Sequence, residues 1–274
     1  NPYVEAFWKW WPDLYRDLHT FRITGGEPLL AKDTWKVLDY IIEHPNPNKK
    51  LNLAINSNLG IPDNLVDNFI EKIKIIEDKG LVNEFIVFTS VDGWGAQAEY
   101  IRNGLEFNRF WDNMNKILTA CPRLNITIMS TFNGLSVPSY YKLIDGVYTL
   151  KQEYASTDRY WISAVFLDSS YLRFPSHQTL QVLPSKWDKE VLRCASHADF
   201  LGTPKFDNKL IGYSDVEIQK IKRSYDWMKA RQDMTNQRRN FANYFAAHDK
   251  RRGTDFSKTF PELADFFEYC KTLS

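Results

Sequence analysis

The segment His19–Trp35, HTFRITGGEPLLAKDTW, sets two glycines, one carboxylate and a proline directly after six residues of strand-like composition. Glycine lacks a Cβ, so Gly25 and Gly26 let a backbone approach a ligand closely or take a positive φ. Glu27 then presents a single carboxylate beside them. A carboxylate with few charged neighbours suits a ligand ammonium group, as in an amino-acid-like ligand. Four other strand-like runs also end in small polar residues. These are Asn56-Ser57-Asn58, Ser90-Val91-Asp92-Gly93, Ser130-Thr131-Phe132-Asn133 and Asp168-Ser169-Ser170. Turn chemistry explains any one of these endings. Five on one rim favour a ligand site, because ligands of parallel α/β proteins gather beyond the carboxyl ends of the strands.

The elements that must position these residues follow from periodicity. Strands are predicted at His19–Thr24, Leu51–Asn56, Glu84–Ser90, Leu124–Ser130 and Tyr160–Leu167. Their centres are apolar with little alternation, the pattern of strands covered on both faces of a parallel sheet. Helices are predicted between them. Trp35–Glu43 aligns Trp35, Leu38, Ile41 and Ile42 on one face and stops at His44-Pro45. Leu65–Lys79, Phe107–Leu118 and Tyr140–Leu150 behave alike. An amphipathic helix over Val4–Leu18 precedes the first strand, which implies a further strand ahead of it and a βα unit of six repeats. Residues 168–213 read as an irregular connector. From Ser214 the chain turns helical, with a Ser214–Glu217 capping box, and a last helix lies within Phe256–Leu273, with Pro261 in its first turn.

The bulk properties exclude several classes. The chain has 274 residues, 43% hydrophobic, and a formal charge of +1. The charge gives no general electrostatic case for nucleic acid, and no apolar run reaches the roughly 20 residues of a membrane helix. Cys121, Cys194 and Cys270 form no CxxC pair, so neither a disulfide framework nor a metal site is expected, and a reducing cytoplasm is the simplest setting. Cys194 and His197 form a C-x-x-H pair, but two ligands are not four. Arg238-Arg239 and Lys250-Arg251-Arg252 could grip an acidic peptide or a phosphate; such runs are more often a solvated helix face.

ITGGEPLL, together with FTSVDGWGAQAEYIRNGLEFNRFWDNMNKI two strands later, resembles the radical S-adenosylmethionine enzymes. The first stretch looks like that family's GGE motif. The second, with Ser-x-Asp-Gly and a downstream arginine, is similar to its peptide-modifying, twitch- or SPASM-bearing branch. The resemblance covers Val4 to Pro184. It implies an α/β fold, a partial (β/α)6 TIM-like barrel over residues 1–184, with a mainly helical C-terminal extension over 185–274. It implies S-adenosyl-L-methionine as cofactor, its ammonium held by Gly25, Gly26 and Glu27. Ser90 would meet the ribose or carboxylate and Arg102 the carboxylate. Asn56 and Asn58 would lie near the ribose, Thr131 and Asn133 would line the next strand's side, and backbone near Leu167 would meet the adenine. Asp92 fits either a site residue or a turn-former, the turn favoured. The reaction implied is reductive cleavage of S-adenosylmethionine to a 5′-deoxyadenosyl radical that abstracts hydrogen from a peptide or protein side chain, with a reductant such as flavodoxin or ferredoxin. The family's CxxxCxxC motif, which ligates a 4Fe-4S cluster, does not occur in this sequence. The expectation is that it lies upstream of Asn1 and that this chain alone is inactive. The alternative is a non-catalytic S-adenosylmethionine- or peptide-binding protein of the same fold.

Overall fold

The computed structural model describes residues 1–46, 51–155, 163–202 and 212–273. Helix α1 (Pro2–Asp17) starts at Asn1, whose side chain accepts from the Tyr3 amide, and buries Trp11 and Tyr15. Strand β1 (Thr20–Ile23) follows, then a 3-10 turn over Pro28–Leu30 and helix α2 (Lys32–Glu43). Three further units continue the alternation. They are β2 (Leu51–Asn56) with α3 (Asp63–Asp78); β3 (Val82–Ser90) with α4 (Gly95–Ile101) and α5 (Phe107–Ala120); and β4 (Asn125–Phe132) with α6 (Val137–Glu153). Strand β5 (Val165–Tyr171) completes a five-stranded sheet of order β1-β2-β3-β4-β5. The β1–β2 and β2–β3 pairs are parallel, with Phe21 opposite Leu53 and Ile55 opposite Val87. Helical crossovers are the connection that parallel neighbours require. The chain is therefore an α/β protein with a sequentially ordered sheet.

Helices α7 (Asp188–Phe200), α8 (Asp215–Lys229), α9 (Thr235–Arg252), α10 (Phe256–Thr259) and α11 (Ala264–Lys271) follow. The Ser214–Glu217 capping box is present. Two sequence expectations change. Strand β5 runs on through Asp168, Ser169 and Ser170 instead of ending before them; the predicted start at residues 160–162 lies outside the described residues. These polar groups are tolerated because Tyr140 donates to Ser169 Oγ at 2.6 Å and Lys220 pairs with Asp168. Helix α7 occupies part of the expected irregular connector. Pro261 opens the 3-10 turn Pro261–Leu263 that leads into α11, the position expected for a proline in a first turn.

The chain's contacts group into two compact units. The first comprises residues 1–89, 109–127 and a segment ending at Ala164; the second comprises 90–108, 128–155 and the described residues from Val165 on. In the first unit, Trp11, Leu38, Ile55, Phe69 and Ile73 are fully buried. In the second, Phe132 stacks on Tyr140 at 3.7 Å, and Phe241, Phe256 and Phe260 close an aromatic core.

Strand β5 is the last in the sheet order, and an unpaired strand edge leaves backbone polar groups that need partners. Here they are met by side chains. Lys151 Nζ donates to the Val165 carbonyl at 2.8 Å, and the Leu167 amide donates to Glu217 Oε1 at 2.8 Å. Lys151 and Glu217 are themselves paired at 2.9 Å, and both are essentially inaccessible. Burial pulls the Lys151 ammonium down from its ordinary pKa, with Glu217 opposing.

Candidate functional site

In the first unit, the candidate residues cluster at the carboxyl ends of β1 and β2. Gly25 and Gly26 both have positive φ, +97° and +51°, and a Cβ added to either meets nothing within 4 Å. Their role is conformational: the chain reverses here through a region that side-chain-bearing residues avoid. The turn delivers Glu27 to a position where its two oxygens do different things. Oε1 accepts from the Leu29 amide at 3.1 Å and so caps the 3-10 turn; Oε2 accepts from the Asn58 amide at 2.7 Å and ties the loop after β1 to the loop after β2. An ionised carboxylate has about four lone-pair positions, so these two bonds leave capacity for a further donor.

Asn56 Oδ1 accepts from Arg22 Nε at 2.8 Å, and the Arg22 guanidinium lies 3.9 Å over the Phe88 ring. The Asn58 side chain accepts from the Gly60 amide at 2.8 Å, so it shapes an Asx turn. Leu59, buried at φ +54°, has its carbonyl held by Asn113 Nδ2 at 2.7 Å. A pocket of about 230 Å³ lies beside the glycines, lined by Phe7, Phe21, Thr24, Gly25 and Pro28 among others.

In the second unit, Asp92 is 5% exposed. It accepts from Arg102 Nε at 2.7 Å and from the Thr131 amide at 2.6 Å. A charge-assisted bond to a buried carboxylate is among the stronger local ties. Asp92 thus fixes the loop after β3 to the end of β4 and orients Arg102. The Nε contact leaves the two Nη groups of Arg102 as donors. Ser90 ends β3 and is half-buried. Thr131 lies within β4, and its carbonyl accepts from Asn133 Nδ2 at 2.9 Å. Asn133 is buried and accepts from the Leu135 amide, so its side chain serves the loop. Leu167 is buried, its amide committed to Glu217. Gly93 allows tight packing: a Cβ there would stand 2.8 Å from Ser139 Oγ.

Two features had no clear sequence signal. Arg22, on an exposed strand face, looks like any solvated cation until Asn56 and Phe88 are placed beside it. At the end of β5, Ser169, Ser170, Tyr171, Arg173, Lys220 and Arg223 line a pocket of about 330 Å³. Lys220 and Arg223 come from α8, some fifty residues from the strand, so only the fold brings them there.

The remaining candidates resolve simply. All three cysteines are free and buried. Burial pushes the Cys194 and Cys270 thiols up to about 12. His197 Nε2 is 2.6 Å from Asp145 Oδ1, and the ring stacks on Tyr141. No group of three or more His, Cys, Asp or Glu among the described residues could hold a metal ion. These side chains do not fit a 4Fe-4S cluster, which needs accessible thiolates. Lys250, Arg251 and Arg252 are exposed in the last turn of α9, where they complement the helix dipole. No helix among the described residues is long and apolar enough to cross a membrane.

No family model and no curated protein matches the chain. Solved structures overlap it, two of them as follows. A domain of pyruvate-formate lyase-activating enzyme from Bacteroides vulgatus ATCC 8482 is 10% identical, with a TM-score of 0.41, over 65% of this chain and 91% of that one. Native anSMEcpe with bound AdoMet and Cp18Cys peptide is 16% identical, with a TM-score of 0.43, over 67% of this chain and 46% of that one. Neither overlap is close enough to transfer a residue or an activity.

Proposed function

We propose that this chain binds S-adenosyl-L-methionine and belongs to a radical S-adenosylmethionine enzyme of partial-barrel type that modifies a peptide or protein side chain, with residues 185–274 as a helical extension of the core. The observation that carries the reading is the Gly25–Gly26–Glu27 turn. Its two glycines take positive φ, and it holds a carboxylate between two loops at the carboxyl ends of parallel strands. Glu27 would receive the methionine ammonium while keeping its two backbone bonds. Asn56 and Asn58 would set the shape of the adjoining loop. Arg102, held through Nε by Asp92, would offer its Nη fork to the carboxylate. Ser90 and Thr131 would offer hydroxyls. Asn133 and the Leu167 backbone would act by shaping their loop and strand, since the Asn133 side chain and the Leu167 amide are already bonded.

The described residues do not supply ligands for an iron–sulfur cluster, and no step is assigned through one. A second reading, an S-adenosylmethionine- or peptide-binding protein without redox chemistry, is favoured by the inert burial of all three thiols. One assay separates the two. The complete gene product is reconstituted anaerobically with iron and sulfide, reduced, and assayed for 5′-deoxyadenosine. Formation that is lost in Glu27→Ala supports the enzyme. Protein that binds S-adenosylmethionine but takes up no iron supports the binder.

A further inference from the structure

A cavity of about 530 Å³ lies in the second unit, remote in sequence from the glycine turn and lined by the start of α6, the 3-10 turn Ser185–Trp187 and the first half of α7. Its size falls within the usual range for small-molecule sites. Its chemistry is one-sided. Lys142, Lys186, Lys189 and Arg193 line it, against two carboxylates, Glu190 and Glu262. Each carboxylate has a polar neighbour: Glu190 lies 3.7 Å from Arg193, and Glu262 accepts from Gln97 Nε2 at 3.2 Å. Arg193 is further occupied over the Tyr141 ring at 4.3 Å. By contrast, the ammonium groups of Lys142, Lys186 and Lys189 have no ion pair among the described residues. Val137 and Pro138 bring the amino end of α6 to the same wall, and Ser136 makes no side-chain cap there. That end of a helix carries partial positive charge.

We propose that this cavity is a binding site for an oxyanionic small molecule, one bearing phosphate or several carboxylates. Four cationic side chains line it against two carboxylates, so the complementary ligand presents negative charge. The inference does not rest on the S-adenosylmethionine reading, and its test is independent of that ligand.

The test is calorimetric titration of the full chain with pyrophosphate and, separately, with tricarballylate. The wild type is compared with Lys142→Gln/Lys186→Gln/Lys189→Gln. A control, Lys250→Gln/Arg251→Gln/Arg252→Gln, removes the same charge from the exposed end of α9. The expected result is saturable binding of at least one anion, weakened about tenfold or more in the cavity variant and unchanged in the control. The tighter of the two anions identifies the source, phosphate or polycarboxylate. Absence of saturable binding, survival of binding in the cavity variant, or equal weakening in both variants would overturn the proposal. All six lysines and arginines are exposed or nearly so, so the variants are expected to fold, and circular dichroism checks this.

Discussion

Glu27 carries two loads. Its carboxylate holds the Leu29 and Asn58 amides, and its remaining lone pairs are the proposed seat of a ligand ammonium. Glu27→Gln keeps one acceptor oxygen and Glu27→Ala keeps none, so urea denaturation should rank alanine below glutamine, with a loss of about 1–3 kcal/mol for alanine. Gly26→Ala forces a Cβ into φ +51° with no clash, so its cost, about 1–2 kcal/mol in the same experiment, is purely conformational. Asp92→Ala strands the Thr131 amide and releases Arg102; a loss of about 2–3 kcal/mol is expected. The glycine turn was legible in the sequence because a positive φ is a local demand that glycine answers. The Asp92–Arg102 pair was legible only as two residue types. They are ten positions apart with α4 between them, and only the folded helix turns one toward the other. Asp92 was therefore favoured as a turn-former, whereas the structure makes it a buried clamp.

At the scale of elements, β5 is the informative strand. Its edge is satisfied by a buried lysine and glutamate, and burying charges is favourable only while both partners stay. Glu217→Ala should destabilise the protein by about 3–5 kcal/mol, because it leaves the Lys151 ammonium buried and the Leu167 and Ser214 amides without acceptors. Lys151→Met/Glu217→Leu should recover a large part of that loss, and thermal unfolding of the wild type and the two variants measures the recovery. The sequence placed β2 at its observed ends, since Leu51–Asn56 is apolar and bounded by polar loops. It misplaced β5, because Asp168-Ser169-Ser170 has turn composition and its satisfaction by Tyr140 and Lys220 is tertiary. Helix α7 was missed for a related reason. DKEVLRCASHADF has low mean hydropathy and buries only Val191, Cys194, Ala195 and Ala198, a stripe too small to stand out by periodicity.

For the whole molecule, the α/β alternation was readable from spacing alone, while the interleaving of two compact units was not, since it depends on which helices each strand shares. The burial of all three cysteines is a global property with a direct readout. In the native state, a disulfide-exchange reagent at pH 8 should titrate the thiols slowly, and in denaturant rapidly. Burial also sets a pH dependence. The fold favours the neutral Cys194 thiol, whose pKa rises from its ordinary 9.0 to about 12. Its contribution to stability is complete below about 9 and is lost as pH rises toward about 12, so Cys194→Ala should flatten the alkaline limb of the stability curve.

The most direct measurement is calorimetric titration of S-adenosyl-L-methionine into the wild-type chain and Glu27→Gln. Saturable one-to-one binding in the wild type, weakened about tenfold or more in a Glu27→Gln variant of unchanged fold, is the predicted result. No binding at millimolar ligand, or equal affinity in the two proteins, would contradict the assignment of the glycine turn as the ammonium site.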